Sequence, residues 1–250
     1  MPQTCVHQTN GHAHSRNLLP FHRGVAREQG YDLHQALRVL DYGCGAGNHV
    51  YEYRDAGYDA YGYEVIDYLQ LRRPSDSQWF AFGQKIPFPD GYFDFVFSFQ
   101  VFEHVHDHQQ AISEIARVLR AGGASFHCYP PTYRFIEGHT YVPLAGRFQA
   151  YPWLRMWAEL GVRNEFQADL SASEVARTNM NWLASDTKYV SKSHITRLCQ
   201  SRFAQVSYVE DSYLRHWPGR TRRLAPLVTR VPALKLVVSN VVERALWLRR

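Results

Sequence analysis

The stretch VLDYGCGAGNHV, residues 39–50, constrains the fold more than any other part of this chain. A run of strand-forming residues reaches Asp41 at its end, and glycine then recurs at every second position. The three glycines are Gly43, Gly45 and Gly47. Glycine is unfavourable inside regular structure but allows positive φ and close backbone approach. Because residues 48–57 have helical spacing and end in glycine, the stretch predicts a strand, a glycine turn and a helix, which together present bare amides to a ligand.

The spacing of this turn distinguishes between ligand classes. A dinucleotide site requires G-x-G-x-x-G, whereas this chain has G-x-G-x-G with Asp41 two residues before the first glycine. A carboxylate at that place repels a pyrophosphate and suits a ligand with a cationic end. S-adenosylmethionine carries an ammonium and a sulfonium and lacks phosphate, so it fits this pattern. A turn with a purely structural role is the alternative.

Length and composition limit the type of protein. The 250 residues suit one large domain, or a domain with a subdomain, and a hydrophobic content of 45% is ordinary for a soluble chain. No uncharged apolar run reaches the length of a membrane span, and the polar N-terminus does not resemble a signal peptide. The four cysteines lie far apart without a C-x-x-C pair, so we predict no metal site and expect a reducing cytoplasm.

Charge is distributed unevenly along the chain. Residues 201–250 carry ten Lys or Arg and three Asp or Glu, although the whole chain has a net charge of only +5. The basic character therefore belongs to the C-terminal part. We expect residues 1–17 to form a flexible tail, residues 18–214 one α/β domain that includes an insertion, and residues 215–250 a basic amphipathic extension.

Strands and helices are predicted to alternate after the glycine turn. Further strands are expected at 58–64, 77–83, 92–99, 124–130 and 204–214. Helices are expected at 65–73, from an N-cap at Asp107 to Gly122, after an N-cap at Ser191, and at 233–248. This alternation predicts an α/β fold, a Rossmann-like doubly wound, mostly parallel sheet with helices on both faces, in which ligands bind at the carboxyl ends of the strands.

Two segments depart from the alternation. Residues 131–190 are rich in aromatic and arginine residues and are predicted to be an insertion with a helix around 153–160. Long insertions of this kind are usually lids or binding segments, so we expect this one to form the acceptor site. The apolar stripe of residues 233–248 suits either a helix packed on the core or a basic amphipathic helix on an anionic membrane.

Four motifs in order resemble a known family. LDYGCGAGNH, YGYEVID, IPFPDGYFDFVFSFQVFEHV and EIARVLRAGG are similar to the successive motifs of class I S-adenosylmethionine-dependent methyltransferases, and most of all to the type-11 group of small-molecule enzymes. The resemblance covers about residues 36–130. It implies a seven-stranded sheet, S-adenosyl-L-methionine as the cofactor, and transfer of its methyl group.

The resemblance also assigns cofactor-binding residues. Asp41 and the turn residues would hold the methionine end, Glu64 would accept hydrogen bonds from the ribose hydroxyls, and Val65 would pack on the adenine. The family commonly has an acid after the third strand, where this chain has Phe82. The remaining expected contacts are Cys44 in the turn, Gly83 and Gln84 near the adenine, and Ser98 and Phe99 near the methyl donor.

Candidates for catalysis lie beyond the fourth strand. A hydroxyl acceptor must lose a proton, and the possible bases are His104, Glu137 and His139. Tyr133, Arg134 and Tyr141 are candidates for binding the acceptor. We expect O-methylation of a small-molecule, glycan or lipid-linked acceptor in the cytoplasm, with peripheral membrane contact through residues 215–250 as a further expectation.

Two other functions remain open at this point. One is a tRNA or protein methyltransferase, and the other is a non-catalytic scaffold that binds the cofactor. SFQVF, which ends the fourth strand, lacks the Asn-Pro-Pro-Tyr type of turn found in enzymes that methylate nucleobases, and no RNA-binding motif is present. Nucleic acid is therefore disfavoured as a partner. The sequence does not indicate an oligomeric state.

Overall fold

The computed structural model describes residues 17–65 and 74–250. The expected tail, apart from Asn17, and the helix expected over 65–73, apart from Val65, lie outside the described residues.

The described residues build one seven-stranded sheet. Its strands are β1 (Arg38–Tyr42), β2 (Asp59–Glu64), β3 (Phe80–Phe82), β4 (Phe93–Phe99), β5 (Leu119–Tyr129), β6 (Gln205–Tyr208) and β7 (Arg244–Arg249). Their order is β3-β2-β1-β4-β5-β7-β6. The first five are parallel, and β7 runs antiparallel between β5 and β6. The predicted doubly wound, mostly parallel sheet is confirmed.

Nine α-helices flank or extend the described sheet. They are α1 (Leu19–Glu28), α2 (Asn48–Asp55), α3 (His108–Val118), α4 (Tyr151–Glu159), α5 (Ala172–Asp186), α6 (Lys192–Gln200), α7 (Glu210–His216), α8 (Ala225–Arg230) and α9 (Pro232–Val237). The predicted N-caps are both present, because Asp107 accepts the amide of Gln110 and Ser191 that of His194. No helix among the described residues combines the length and apolarity needed to cross a membrane.

The C-terminal segment differs most from its prediction. Residues 233–248 do not form one amphipathic helix: α9 continues into a π-helical turn at Val238–Val242, and the chain then forms β7. Trp247 in β7 is completely buried. Residues 215–250 were expected to be an extension outside the domain, and this expectation is wrong for β7, because β7 is a strand of the domain's own sheet.

Smaller corrections concern element boundaries. Residues 74–79 form a 3₁₀-helix, so β3 begins only at Phe80. The helix α3 ends at Val118, before the glycine pair at 122–123, because the chain is already paired with β4 from Leu119. The strand expected at 204–214 stops at Tyr208, where α7 follows, and α5 was not predicted.

Apolar side chains cover both faces of the sheet. One cluster packs α1, α2 and α7 against the face that carries Phe95, Phe97 and Trp247. A second packs α3 and α6 against the opposite face, with Val96 and Leu246. A third cluster, inside the insertion, joins Val142 and Ala145 to α4 and α5. The insertion 131–190 thus has a small core of its own at the carboxyl edge of the sheet.

Candidate active site

The glycine turn lies between β1 and α2 and is fixed by β2. Gly43 and Cys44 donate their amides to the carbonyl of Tyr63, at 2.8 and 3.1 Å. All three glycines have positive φ, of 76°, 50° and 72°. A Cβ on Gly45 would meet no atom of the described residues within 4 Å. The turn therefore needs glycine for its conformation, and at Gly45 it faces open space that a ligand can occupy.

Asp41, at the end of β1, is a buried carboxylate beside this turn. Its side chain is 3% exposed, and its Oδ2 atom has no hydrogen-bond partner within the part of the chain that the structure describes. Burial raises the pKa of Asp41 to about 7, against the lowering effect of His49 and with a further increase from Glu64 and Glu52. A buried acceptor without a donor is costly. A cationic group brought by a ligand would satisfy it.

Glu64 ends β2 on the other side of the turn. Its Oε2 accepts the amide of Gly45 at 3.1 Å and its Oε1 accepts the amide of Val65 at 2.8 Å. A carboxylate has about four lone-pair positions, so a side chain of this type suits the hydroxyl groups of a ribose. Val65 is 47% exposed and offers an apolar surface next to them. Asp41, the turn and Glu64 thus fit the ammonium, the methionine backbone and the ribose of S-adenosylmethionine.

The residues predicted near the adenine lie at the end of β3. Phe82 is half-buried against the core, and Gly83, with φ of 124°, donates its amide to the carbonyl of Glu64 at 3.2 Å. Gln84 is exposed and its carbonyl accepts a hydrogen bond from Gln110 at 3.1 Å. These residues border the Glu64 side of the site, and their contact with adenine stays a prediction.

Ser98 and Phe99, predicted near the methyl donor, have partners inside the protein. The Ser98 hydroxyl lies 2.8 Å from Nδ1 of His127 on β5, and burial lowers the pKa of that histidine to about 3. Phe99 stacks on Trp217 with ring centroids 5.5 Å apart. Ser98 is therefore held by a hydrogen bond and Phe99 by stacking, both within the protein. A direct contact of either side chain with the cofactor stays a prediction.

Glu137 is held in its loop by four hydrogen bonds. Its Oε2 accepts from the amides of His139 and Thr140 and from the Thr140 hydroxyl, while its Oε1 accepts from the Tyr189 hydroxyl at 2.8 Å. The residue is 1% exposed. These contacts make Glu137 the organiser of the loop that carries His139, and its role as a base stays a prediction.

His104 and His139 come together although they are 35 positions apart in the sequence. Their ring centroids are 5.1 Å apart. Nδ1 of His104 lies 2.7 Å from the carbonyl oxygen of Asp186 in the insertion, and Nε2 lies 4.0 Å from Oε1 of Glu103. Burial raises the pKa of Glu103 to about 8. The sequence identified both histidines but not the buried carboxyl group between them.

A second polar group was also missed from the sequence. Gln100, directly after β4, has φ of 56°, a strained conformation for a residue with a side chain. Its Nε2 donates to Oε1 of Glu243 at 2.8 Å, and its Oε1 accepts from Nη1 of Arg134 at 2.9 Å. Because Glu243 is 143 positions from Gln100, no local pattern could have indicated this contact.

The other two predicted acceptor residues lie further out. Tyr133 is 49% exposed, next to Arg134 in the chain. Tyr141 adopts a φ of 59° and donates its hydroxyl to Glu165 at 3.3 Å. The structure therefore brings Arg134 to the carboxyl end of β4 and leaves both tyrosines on the outer part of the insertion.

A mostly parallel sheet with a glycine turn, a buried acid and a strand-end glutamate at one edge is the arrangement expected of a class I methyltransferase. The family model described as a methyltransferase domain matches residues 40–126. These residues are a methyltransferase domain of the type-11 group of class I S-adenosylmethionine-dependent methyltransferases, and S-adenosylmethionine is the cofactor of such a domain. The resemblance predicted from four motifs is confirmed.

Two relatives extend this match. The chain is 31% identical over 120 residues to a sterol 24-C-methyltransferase of Aspergillus fumigatus, over 42% of this chain and 32% of that protein. It is 36% identical over 96 residues to a probable chloroplastic tocopherol O-methyltransferase of Oryza sativa subsp. japonica, and the match covers 34% of this chain and 26% of that protein. The chain thus spans about a third or less of the length of these relatives.

A solved structure supports the fold over nearly the whole chain. It is an S-adenosylmethionine-dependent methyltransferase from Mesorhizobium loti, with a TM-score of 0.51 and 15% identity, covering 94% of this chain and 99% of that one. At this identity the likeness concerns the fold alone. It extends well beyond residues 40–126, in agreement with β6 and β7 as parts of the same sheet.

Proposed function

We propose that the whole chain is an S-adenosylmethionine-dependent methyltransferase that methylates an oxygen atom of a small-molecule acceptor. The observation that carries this proposal is the buried Oδ2 atom of Asp41, which lies beside the glycine turn and Glu64 and has no hydrogen-bond partner among residues 17–65 and 74–250. A non-catalytic scaffold that binds the cofactor would have the same site, and the transfer of a labelled methyl group, tested below, distinguishes the two. These residues fit the cofactor. Together with the family match over residues 40–126, they support methyl transfer as the activity of the chain.

The residues of the chain divide the binding of the cofactor among them. S-adenosylmethionine, when bound, supplies a methyl group on a sulfonium. Asp41 would balance the ammonium, the turn would allow the main chain to approach, and Glu64 would hold the ribose as a charge-assisted acceptor. Positioning of this kind can lower the reaction barrier by about 7–11 kcal/mol.

The acceptor is proposed to bind between the carboxyl end of β4 and the insertion 131–190, which acts as a lid. The lid supplies Arg134 and His139 and holds His104 through the carbonyl of Asp186. A histidine in this group would take the proton of a hydroxyl acceptor, a contribution of about 10²–10⁴-fold. A proton acceptor at this place is the reason for assigning oxygen as the methylated atom.

The chemical character of the acceptor follows from the surface of the lid. Several large apolar side chains of the lid are exposed to solvent. Their exposed fractions are 49% for Tyr133, 62% for Phe135, 41% for Ile136, 46% for Phe148, 41% for Met156, 68% for Leu160 and 60% for Phe166. The relatives are named for sterol and tocopherol, which are lipophilic. We therefore propose a lipophilic or lipid-linked alcohol or phenol, with a glycan-bearing lipid within the same class.

Binding of S-adenosylhomocysteine by isothermal titration tests the cofactor site. We expect the parent chain to bind and Glu64→Gln to bind about ten- to a hundredfold more weakly, because charge-assisted hydrogen bonds are lost. Asp55→Asn, an exposed acid at the end of α2, is the matched control and should bind like the parent. Absence of binding by the parent chain would refute the proposed activity.

The acceptor requires a separate experiment. Lipid and polar metabolite extracts are incubated with the enzyme and a methyl-labelled cofactor, and labelled products are identified by mass spectrometry. We expect a labelled methyl ether. A product labelled on carbon or nitrogen would contradict the assignment of oxygen, and labelled RNA or protein would favour the alternative functions.

We further propose peripheral contact with an anionic membrane through residues 220–237. Exposed arginines and exposed apolar side chains occur together on α8, α9 and the turn before them. They are Arg220, Arg222, Arg223 and Arg230, with Leu224 47%, Leu227 54%, Val231 40%, Leu236 67% and Val237 50% exposed. Basic and apolar groups on one surface favour anionic bilayers.

Co-sedimentation with vesicles of phosphatidylserine and phosphatidylcholine tests this surface. Truncation at residue 214 would remove β7, so substitutions are used. The double variant Leu227→Asp, Leu236→Asp should lose most of the bound fraction, whereas Leu160→Asp, 68% exposed on the lid, should keep it. Equal sedimentation with and without vesicles for the parent would disprove membrane contact.

A further inference from the structure

Three side chains with metal-ligating atoms converge where β4 meets the insertion. One ligand atom each of Glu103, His104 and His139 lie within 4.8 Å of one another. Glu103 and His104 belong to a short 3₁₀ turn after β4, and His139 comes from the loop organised by Glu137. The three groups are thus delivered by two separate segments and meet through the tertiary fold.

The carboxylate in this group is an observation independent of the convergence. Glu103 is 2% exposed, and neither of its oxygens has a hydrogen-bond partner within residues 17–65 and 74–250. The nearby guanidinium of Arg134 gives its Nη1 hydrogen bond to Gln100. A buried carboxylate with two unsatisfied oxygens is strongly unfavourable unless a cation or a donor reaches it.

The orientation of His104 is also that of a metal ligand. A carbonyl oxygen can only accept, so Nδ1 must donate its proton to Asp186, 2.7 Å away. In the neutral ring the lone pair then lies on Nε2, the nitrogen 4.0 Å from the Glu103 carboxylate. Donation from one ring nitrogen to a carbonyl is the usual way in which a protein orients a metal-binding histidine.

We propose that Glu103, His104 and His139 bind a divalent first-row transition metal ion. Two imidazoles and one carboxylate suit Zn²⁺ and its neighbours in the series, rather than Mg²⁺ or Ca²⁺. Three protein ligands leave coordination positions for water or for an oxygen of a substrate. Metal binding goes beyond the proposed function and does not depend on it. If both hold, the ion occupies the histidine lone pairs and replaces the histidine as the promoter of deprotonation: a hydroxyl acceptor bound to the ion would have a lowered pKa and would lose its proton to solvent.

Direct metal binding to the full chain tests the site without reference to activity. Apo-protein is titrated with Co²⁺, followed by visible absorption, and with Zn²⁺, followed by calorimetry. We expect one tightly bound ion per chain. His139→Ala and Glu103→Gln should each weaken binding by at least about tenfold, since loss of even an outer-shell partner costs 10- to 100-fold.

Two controls separate this site from other histidines. His106→Ala removes an exposed imidazole two positions from His104 and should leave binding unchanged. A variant with His7, His12 and His14 changed to alanine removes the three histidines of the N-terminal segment and should retain the tight ion. Glu103→Gln keeps the volume of the buried side chain, and its thermal melt without metal shows that it is folded.

The outcomes are distinct. Tight binding that is lost in His139→Ala and Glu103→Gln but kept in both controls supports the site. Three results would overturn the site. In the first, the parent binds no ion tightly. In the second, folded Glu103→Gln and His139→Ala bind the ion as tightly as the parent, and in the third, tight binding is lost only in the triple histidine variant. Binding of S-adenosylhomocysteine, measured separately, tests the proposed function. Its outcome is independent of whether the metal ion binds.

Discussion

Asp41 and His49 show how single residues adapt the site to a cationic ligand. Burial raises the pKa of Asp41 to about 7. Burial also lowers the pKa of His49, but the hydrogen bond that its ring donates to Glu52 and the charges of Asp41 and Glu52 outweigh this effect and leave the pKa raised. Without a ligand, the carboxyl group therefore holds its proton up to about neutral pH. A bound ammonium favours the carboxylate, so cofactor binding and proton release are linked.

This linkage predicts a pH dependence of binding. Affinity for S-adenosylhomocysteine should be constant above about pH 8 and fall by up to tenfold per pH unit below about pH 7, because Asp41 must be ionised to pair with the ammonium. Calorimetry in two buffers of different ionisation enthalpy should detect proton release near pH 6.5. In Asp41→Asn binding should be much weaker and the proton release absent; unchanged proton release in that variant would exclude Asp41 as its source.

At the scale of an element, two glycines of the same turn are predicted to differ in role. A Cβ on Gly43 would lie 2.5 Å from Cγ1 of Val101, at a φ of 76°, whereas one on Gly45 would have no neighbour within 4 Å in the part of the chain that the structure describes. Gly43→Ala should therefore destabilise the fold by about 2–4 kcal/mol through strain and overpacking. Gly45→Ala should lower the free energy of unfolding by only about 1–2 kcal/mol, through backbone strain. It should weaken the binding of S-adenosylhomocysteine more than Gly43→Ala does, because its methyl group enters the space proposed for the ligand.

Urea unfolding and calorimetry of the same two variants check this contrast. The expected result is that Gly43→Ala has the lower unfolding free energy and Gly45→Ala the larger loss of affinity relative to its loss of stability. If both variants lose stability and affinity in the same proportion, the open space at Gly45 is not the ligand site.

The strand β7 makes a different prediction at this scale. Trp247 is completely buried, and its ring lies 6.2 Å from those of both Phe95 and Phe126, centroid to centroid. Trp247→Ala should reduce the free energy of unfolding by about 3–5 kcal/mol. Leu236→Ala, at a side chain 67% exposed in α9, should change it by less than about 0.5 kcal/mol. A small effect at Trp247 would contradict the position of β7 inside the sheet.

The same strand shows where prediction from the sequence fails. β1, α2 and β4 were predicted because each carries its own local pattern: an apolar run, a glycine turn, or a helix face. Residues 244–249 are buried on both faces between β5 and β6, so their apolar side chains lack the alternation of a half-exposed strand and continue the spacing of the helix before them. Their tertiary partners decide the structure, and no local signal reveals those partners.

The candidate site divides in the same way. Asp41, Gly45 and Glu64, the residues proposed to bind the cofactor, lie in motifs whose spacing is local to one β-α-β unit, so the sequence is enough to predict that they lie together. The grouping of Glu103 with His139, and of Gln100 with Glu243, depends on contacts between distant segments. The sequence indicated the histidines by residue type alone, and only the fold shows which carboxyl groups they face.

At the scale of the whole molecule, buried carboxyl groups link stability to pH. Burial raises the pKa of Glu243 to about 7, against the lowering effect of Arg134, with an increase from Glu103 and a decrease from the Gln100 hydrogen bond. A raised pKa in the folded state means that folding favours the protonated form. The stabilising contribution is therefore complete below the ordinary value of about 4.5 and is lost as pH rises through about 7.

Melting temperature should accordingly fall between pH 6 and pH 8 for the protein without ligands. Glu243→Gln mimics the protonated group and can still accept from Gln100, so it should melt higher than the parent at pH 8 and close to it at pH 5. Asp169→Asn, an exposed acid in the insertion, should follow the parent at both values. If Glu243→Gln melts lower than the parent at pH 8, the ionised carboxylate stabilises the fold through Arg134 and Gln100, and the pH dependence of stability has its origin in other groups.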